Sequence, residues 1–196
     1  MYEVDRDLGN PAERDLSDVR APIPGFVAGA RRVSGWATVD GADLGPSLAR
    51  VGGEVGIMVR RFGLSIDAAP HLETAPFDAL TLGSANVHAA FVLLPRWQLH
   101  ATFGASFMID GRRTASGERV DGGGIVTGVR TTVLPVHPLV LRGRLEGGIL
   151  GAAPTWLARG TAGVMVARAE LFAGYEARRV GSVVLRGPTL GLRVWF

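Results

Sequence analysis

The residues from Trp97 to Asp110, WQLHATFGASFMID, alternate between two kinds of side chain over fourteen positions. Trp97, Leu99, Ala101, Phe103, Ala105, Phe107 and Ile109 form one set; Gln98, His100, Thr102, Gly104, Ser106, Met108 and Asp110 form the other. A helix turns ~100° per residue and would wind both sets around its circumference, whereas a strand sends successive side chains to opposite faces. Only a strand keeps one face greasy and the other polar. Its length is a second constraint, because strands of globular domains usually run to ~5–6 residues.

The same period recurs along the chain. Arg31–Asp40 is its weakest instance, with Val33, Ala37 and Val39 on one face. Val51–Arg60 sets Val51, Val55, Ile57 and Val59 against Glu54, Met58 and Arg60, and Phe62–Ala68 sets Phe62, Leu64 and Ile66 against Ser65 and Asp67. Thr81–Leu94, Gly122–Leu134, Leu139–Leu150, Trp156–Ala167, Glu170–Arg178 and Thr189–Phe196 behave alike. With Trp97–Asp110 these segments make ten strands; losing or merging the doubtful first pair would make eight. Short connections are expected at Arg60-Arg61, Leu94–Arg96, Pro135–Pro138 and Arg168-Ala169. Longer ones are expected at Gly41–Ser47, Ala69–Ala79, Gly111–Asp121 and Gly151–Thr155, with a shorter one at Arg179–Ser182.

Composition removes several classes. Cysteine is absent, which excludes disulfide frameworks, thiolate metal sites and Cys nucleophiles. All 21 basic residues are Arg, scattered among 18 acids, so no clustered basic face calls for nucleic acid. No run approaches the ~20 apolar residues of a membrane helix; Ala79–Pro95 is short and carries Ser84, Asn86 and His88. Residues 1–30 read as an acidic arm ending in a Pro-containing linker, Ala-Pro-Ile-Pro-Gly, and residues 31–196 as the strand domain. Asn10-Pro11-Ala12-Glu13 also suits a short capped helix. The opening residues lack the basic-then-apolar pattern of a secretory signal; either the protein is not secreted or a signal has been removed.

Greasy faces on strands of ~9–11 residues or more suit a lipid environment, where only helices and closed barrels pair every backbone group. The opposite faces carry Glu54, Arg60, Asp67, Arg130, Arg142, Arg144, Glu146, Arg159, Glu170, Glu176, Arg178 and Arg193. In a soluble sandwich they would face water; in a small barrel they would fill the lumen as a paired network. Barrels of about this strand number have interiors that side chains fill, so no wide pore is expected. Tight turns at one end with longer loops at the other is also a membrane-barrel pattern.

The last strand ends Leu190-Gly191-Leu192-Arg193-Val194-Trp195-Phe196, with Leu190, Leu192, Val194 and Phe196 on one face. It resembles the C-terminal assembly signal of bacterial outer-membrane β-barrel proteins, which ends in an aromatic residue. The resemblance implies a transmembrane antiparallel up-and-down β-barrel with short periplasmic turns, a periplasmic N-terminus and a Gram-negative-type outer membrane. It implies as partners outer-membrane lipid, lipopolysaccharide and, during biogenesis, the barrel-assembly machinery. Trp97, Trp156, Tyr175 and Trp195 are expected in aromatic girdles at the interfaces. Arg112-Arg113 and Arg178-Arg179 fit either lipopolysaccharide phosphates or solvated loops.

No catalytic residue, metal site or cofactor is assigned. His88 and His100 fall on polar faces of neighbouring strands without a convincing third ligand, and Ser84, Ser106 and Asp110 are scattered over several layers. Gly122-Gly123-Gly124 lacks the Lys and helix of a phosphate loop. The reading is a structural or interaction barrel, or a narrow pore. The alternatives are a channel for ions or small solutes, a lipid-modifying enzyme at the rim, and a soluble barrel holding an apolar ligand inside.

Overall fold

The computed structural model describes residues 33–45, 47–74, 77–112 and 119–196, with only the backbone described at 74, 77, 78, 111, 112, 119 and 120. The expected arm over 1–30, and Arg113, lie outside the described residues. Ten strands follow one another: β1 (Val33–Asp43), β2 (Leu48–Val59), β3 (Phe62–Thr74), β4 (Phe77–Leu94), β5 (Trp97–Arg112), β6 (Arg119–Val133), β7 (Leu139–Leu150), β8 (Ala153–Val166), β9 (Ala169–Val180) and β10 (Val183–Trp195). Each pairs antiparallel with its sequence neighbours, and β1 pairs with β10, so the sheet closes into an up-and-down barrel of ten strands, not eight. Closure leaves no strand with a free edge.

The closing seam pairs Trp36 with Trp195, Thr38 with Arg193 and Ala42 with Thr189. At its end Gly35 and Phe196 exchange backbone hydrogen bonds of 2.9 and 3.0 Å. Glycine at 35 matters there, because a Cβ would collide with the Phe196 ring lying over it. Both termini of the barrel lie at one rim, called here the terminal rim; the C-terminal ends of β1, β3, β5, β7 and β9 lie at the far rim.

The expected contrast in loop length does not hold. Most of the segments expected as long loops, 69–79 and 111–121, are strand: β3 and β4 stay paired up to Thr74 and Phe77, and β5 and β6 up to Arg112 and Arg119. Polar residues there hid strands whose backbones still pair. β10 likewise begins at Val183 and not Thr189. Tight two-residue turns occur at both rims. Gly151 and Gly181 begin two of them at φ 61° and 59°, and Arg60 and Ala167 begin two others at φ 57° and 55°. Tight hairpins need positive φ at their first residue so that their twist matches the strands, which favours Gly; Arg60 and Ala167 adopt it without that freedom.

Burial is inverted relative to a water-soluble domain. Among the described residues thirty-three large hydrophobic residues are exposed, including Val55, Ile57, Leu64, Phe103, Ile125, Leu145 and Leu171, whereas twelve hydrophobic residues are buried. Seventeen polar or charged residues among them are buried, including Asp40, Arg50, Asp67, Glu170 and Glu176. The greasy faces point outward and the charged faces inward, so the alternative of a barrel lined by apolar side chains does not hold.

Candidate functional site in the lumen

The strand period places charged residues of every second position inside the barrel, and the shear of the sheet sorts them into three connected groups. Nearest the far rim, Arg50 of β2 donates to Asp40 of β1 at 2.9 Å and lies 3.4 Å from Glu176 of β9. Arg159 of β8 donates to the same two carboxylates. The result is an alternating ring of two cations and two anions drawn from four strands.

In the middle, Arg144 of β7 reaches across to Asp67 of β3 at 2.9 Å and holds Glu146 at 2.6 Å. Arg130 of β6 crosses to Glu54 of β2 and also pairs with Glu146 at 3.2 Å. Ser84 donates to Asp67 at 2.6 Å, and Asn86 to Ser84 at 2.7 Å. Strands β7 and β3, and β6 and β2, stand on opposite walls of the ring of strands, so these bonds span the lumen.

Nearest the terminal rim, Glu170 of β9 has no exposed surface. It accepts from Arg142 of β7 at 2.8 Å, and Arg193 of β10 lies at 3.5 Å. Arg142 also donates to Thr132 and Arg193 to Thr38. Two aromatic rings complete this layer: the Arg142 guanidinium lies 5.1 Å from the centroid of Trp195, and that of Arg193 5.5 Å from Phe172.

Moving charges from water into such an interior carries a desolvation cost that only several well-placed partners offset. Each of these carboxylates has more than one partner, Glu54 having Arg130 and, at 3.9 Å, Arg144, and the arginine fork supplies directed bonds. The network therefore cross-braces the barrel, and removing one member leaves its partners charged and buried.

Eleven of the twelve charged residues singled out from the sequence face the lumen. Arg60 does not: it is exposed in the turn between β2 and β3, because its strand ends one residue earlier. Arg178 faces inward but belongs to none of the three ion-pair groups. Trp97, Trp156 and Tyr175 are exposed on the outer wall, whereas Trp195 turns inward and packs against Trp36 with ring centroids 6.0 Å apart. Trp195 is thus a lumen residue, since the outward face of β10 is held by Leu190, Leu192, Val194 and Phe196. Phe62, Trp97 and Phe196 cluster by position at the terminal rim, the first two opening β3 and β5 and the third closing the chain.

Asp40, Arg50 and Trp36 are lumen residues that sequence reasoning passed over. The signal was present: Asp40 shares the face opposite Val33, Ala37 and Val39, and Arg50 keeps the parity of Glu54 just ahead of the expected start of its strand. Arg178 and Arg179, adjacent on a strand, point to opposite faces; Arg179 is exposed and donates to the Gly181 carbonyl at 2.7 Å. The side chain of Arg112 lies outside the described residues.

The histidines are bonded singly. His88 Nε2 lies 2.7 Å from Ser65 Oγ, and His100 Nε2 3.3 Å from Gln98 Oε1. The His88 ring meets Trp36 edge-on at 6.0 Å. Ser84 and Ser106 are cross-strand partners on β4 and β5; Ser106 donates to the Ile149 carbonyl and the Asp110 backbone to Asp121. Among the described residues no group of three His, Cys, Asp or Glu is placed to hold a metal ion.

No family model matches the chain, and no curated protein does. Among solved structures, the chain is similar to the N-terminal β-barrel domain of Pseudomonas aeruginosa OprF, at 11% identity and a TM-score of 0.44, over 84% of this chain and 96% of that one. It is also similar to CdiB from Acinetobacter baumannii, at 10% identity and a TM-score of 0.43, over 78% of this chain and 39% of that one.

Proposed function

We propose that the chain is a small bacterial outer-membrane β-barrel whose lumen is closed by its ion-pair network, and that it serves as a structural or interaction element of the envelope and not as an open pore. The outward apolar wall carries this reading. The thirty-three large hydrophobic side chains exposed among the described residues, nearly all on the closed sheet, far exceed what a soluble monomer tolerates, and a bilayer is the solvent that rewards them. Strand length agrees. Eleven residues, the shortest strand, rising ~3.3 Å each at a tilt of ~40°, climb roughly 28 Å, against an apolar band of ~25 Å in such barrels.

The partners that follow are outer-membrane lipid and lipopolysaccharide, with the barrel-assembly machinery acting on the strand that ends Leu190-Gly191-Leu192-Arg193-Val194-Trp195-Phe196. The terminal rim then faces the periplasm and the far rim the exterior. The cross-lumen bonds of Arg130 and Arg144 support a closed interior, since a hydrated ion must part them to pass.

Refolding from urea with and without detergent micelles tests the first part. A β spectrum and a heat-dependent gel mobility that appear only with micelles are expected, and cooperative folding in plain buffer would overturn the membrane reading. Planar-bilayer recording tests the second. Quiet membranes or rare, small events are expected, and a steady conductance that disappears on changing Arg142 or Arg144 would establish a channel instead.

A further inference from the structure

Among the described residues one lumen cation stands without a partner. Seven arginines among them (Arg50, Arg130, Arg142, Arg144, Arg159, Arg178 and Arg193) lie on inward strand faces, with six carboxylates packed among them (Asp40, Glu54, Asp67, Glu146, Glu170 and Glu176) and Glu73 exposed at the far-rim end of β3. Six of the arginines lie within salt-bridge distance of a carboxylate. Arg178 makes no such pair to a described residue, and its Nε is buried without a hydrogen-bond partner. Its nearest anions are already engaged. Glu176 is shared by Arg50 and Arg159, Asp67 is held by Arg144 and Ser84, and Glu146 by Arg144 and Arg130. Withdrawing even part of a guanidinium from water without a counter-charge is costly, so an anion beside Arg178 is favoured.

The space beside Arg178 says what kind of anion. A recess on the far-rim side of the lumen has Arg178 in its wall together with Leu82, Val126, Leu150, Leu157 and Val180. The first four of these apolar residues are buried, with exposures of 2–7%. A fully hydrated inorganic ion gains little from such walls. A single negative head on an apolar chain uses both features, because the guanidinium fork takes a carboxylate in two parallel bonds and the leucines take the chain. The head carries a single charge, because a second would meet Asp67 and Glu146, which line the same recess.

We propose that this recess binds a monovalent organic carboxylate with a short apolar tail, its head paired to Arg178. The proposal goes beyond the closed-lumen reading. A conducting barrel would overturn that reading and leave the comparison below unaffected.

The test uses the full chain folded in nonionic detergent micelles and saturation-transfer NMR with hexanoate, hexanol, hexylammonium and acetate. Hexanoate should bind more tightly than each of the other three, hexanol reporting partition into the micelle. Arg178→Gln should weaken hexanoate binding by roughly tenfold, the worth of one charged hydrogen-bonded contact, and Arg186→Gln on the outer face of β10 should leave it unchanged. Equal binding of hexanoate and hexylammonium, equal binding of acetate, or retention of hexanoate affinity in the glutamine variant would each overturn the proposal. The comparison of the four probes on the unaltered protein needs no variant to fold.

Discussion

Glu170 is the most exacting point at which to test the lumen. It has no exposed surface and neutralises two arginines, Arg142 and Arg193, which are themselves 15% and 13% exposed. Glu170→Gln preserves the shape and keeps one oxygen for the Arg142 hydrogen bond, but it leaves two guanidiniums facing each other without their anion. A unit-charge pair at ~4 Å in a medium of effective dielectric ~20 interacts by about 4 kcal/mol, and breaking a buried pair by removing one partner costs ~3–5 kcal/mol. The retained hydrogen bond and the partial exposure of both arginines place the expected loss at the lower end, about 3 kcal/mol. Removing Arg193 as well should return about 1 kcal/mol, because the remaining arginine no longer faces a like charge. The assay is reversible urea unfolding in lipid vesicles, read by tryptophan fluorescence, with circular dichroism to establish that each variant starts folded. A loss below 1 kcal/mol for Glu170→Gln, or a double variant weaker than the single, would refute the view that these ion pairs brace the barrel.

Three further outcomes follow from the same geometry. Phe103→Arg places a cation midway along β5 on the outer wall and should cost ~2–4 kcal/mol in vesicles; unchanged stability would mean the wall does not meet lipid. Deleting Phe196 removes its two backbone bonds to Gly35 and should slow folding into vesicles and impair assembly in cells, whereas normal assembly would exclude an assembly role for that residue. Ala167 occupies the left-handed region at φ 55°, so Ala167→Gly should raise the unfolding free energy by up to about 1 kcal/mol, and a drop would show that the turn tolerates alanine without strain.

Much of the barrel was legible from periodicity alone. The side chains of Trp97–Asp110 alternate because one face lies on the apolar outer wall and the other on the polar lumen, and the parity of that alternation carries directly into the structure for Glu54, Asp67, Arg142, Glu170 and Arg193. Parity is local, so it survives translation from sequence to fold. Strand ends were less legible, because hydrogen bonding, not side-chain polarity, decides how far a ladder runs. Thr74 and Phe77 pair across a two-residue connection that composition had marked as a long loop. Arg60 kept the right parity and still left the lumen, since β2 stops at Val59.

Alternation along the sequence called for long two-faced strands, ten or eight of them, with charge on one face and hydrocarbon on the other. The tertiary structure decided which face is inside and who pairs with whom. Alternation is the same for a barrel turned either way, and only closure with its outward apolar wall distinguishes them. Shear sets Arg144 opposite Asp67, 77 residues away in the chain, and turns Trp195 inward beside Trp36. It also leaves Arg178 alone among its neighbours. Such pairings depend on the stagger between strands remote in sequence, a quantity that no local pattern encodes.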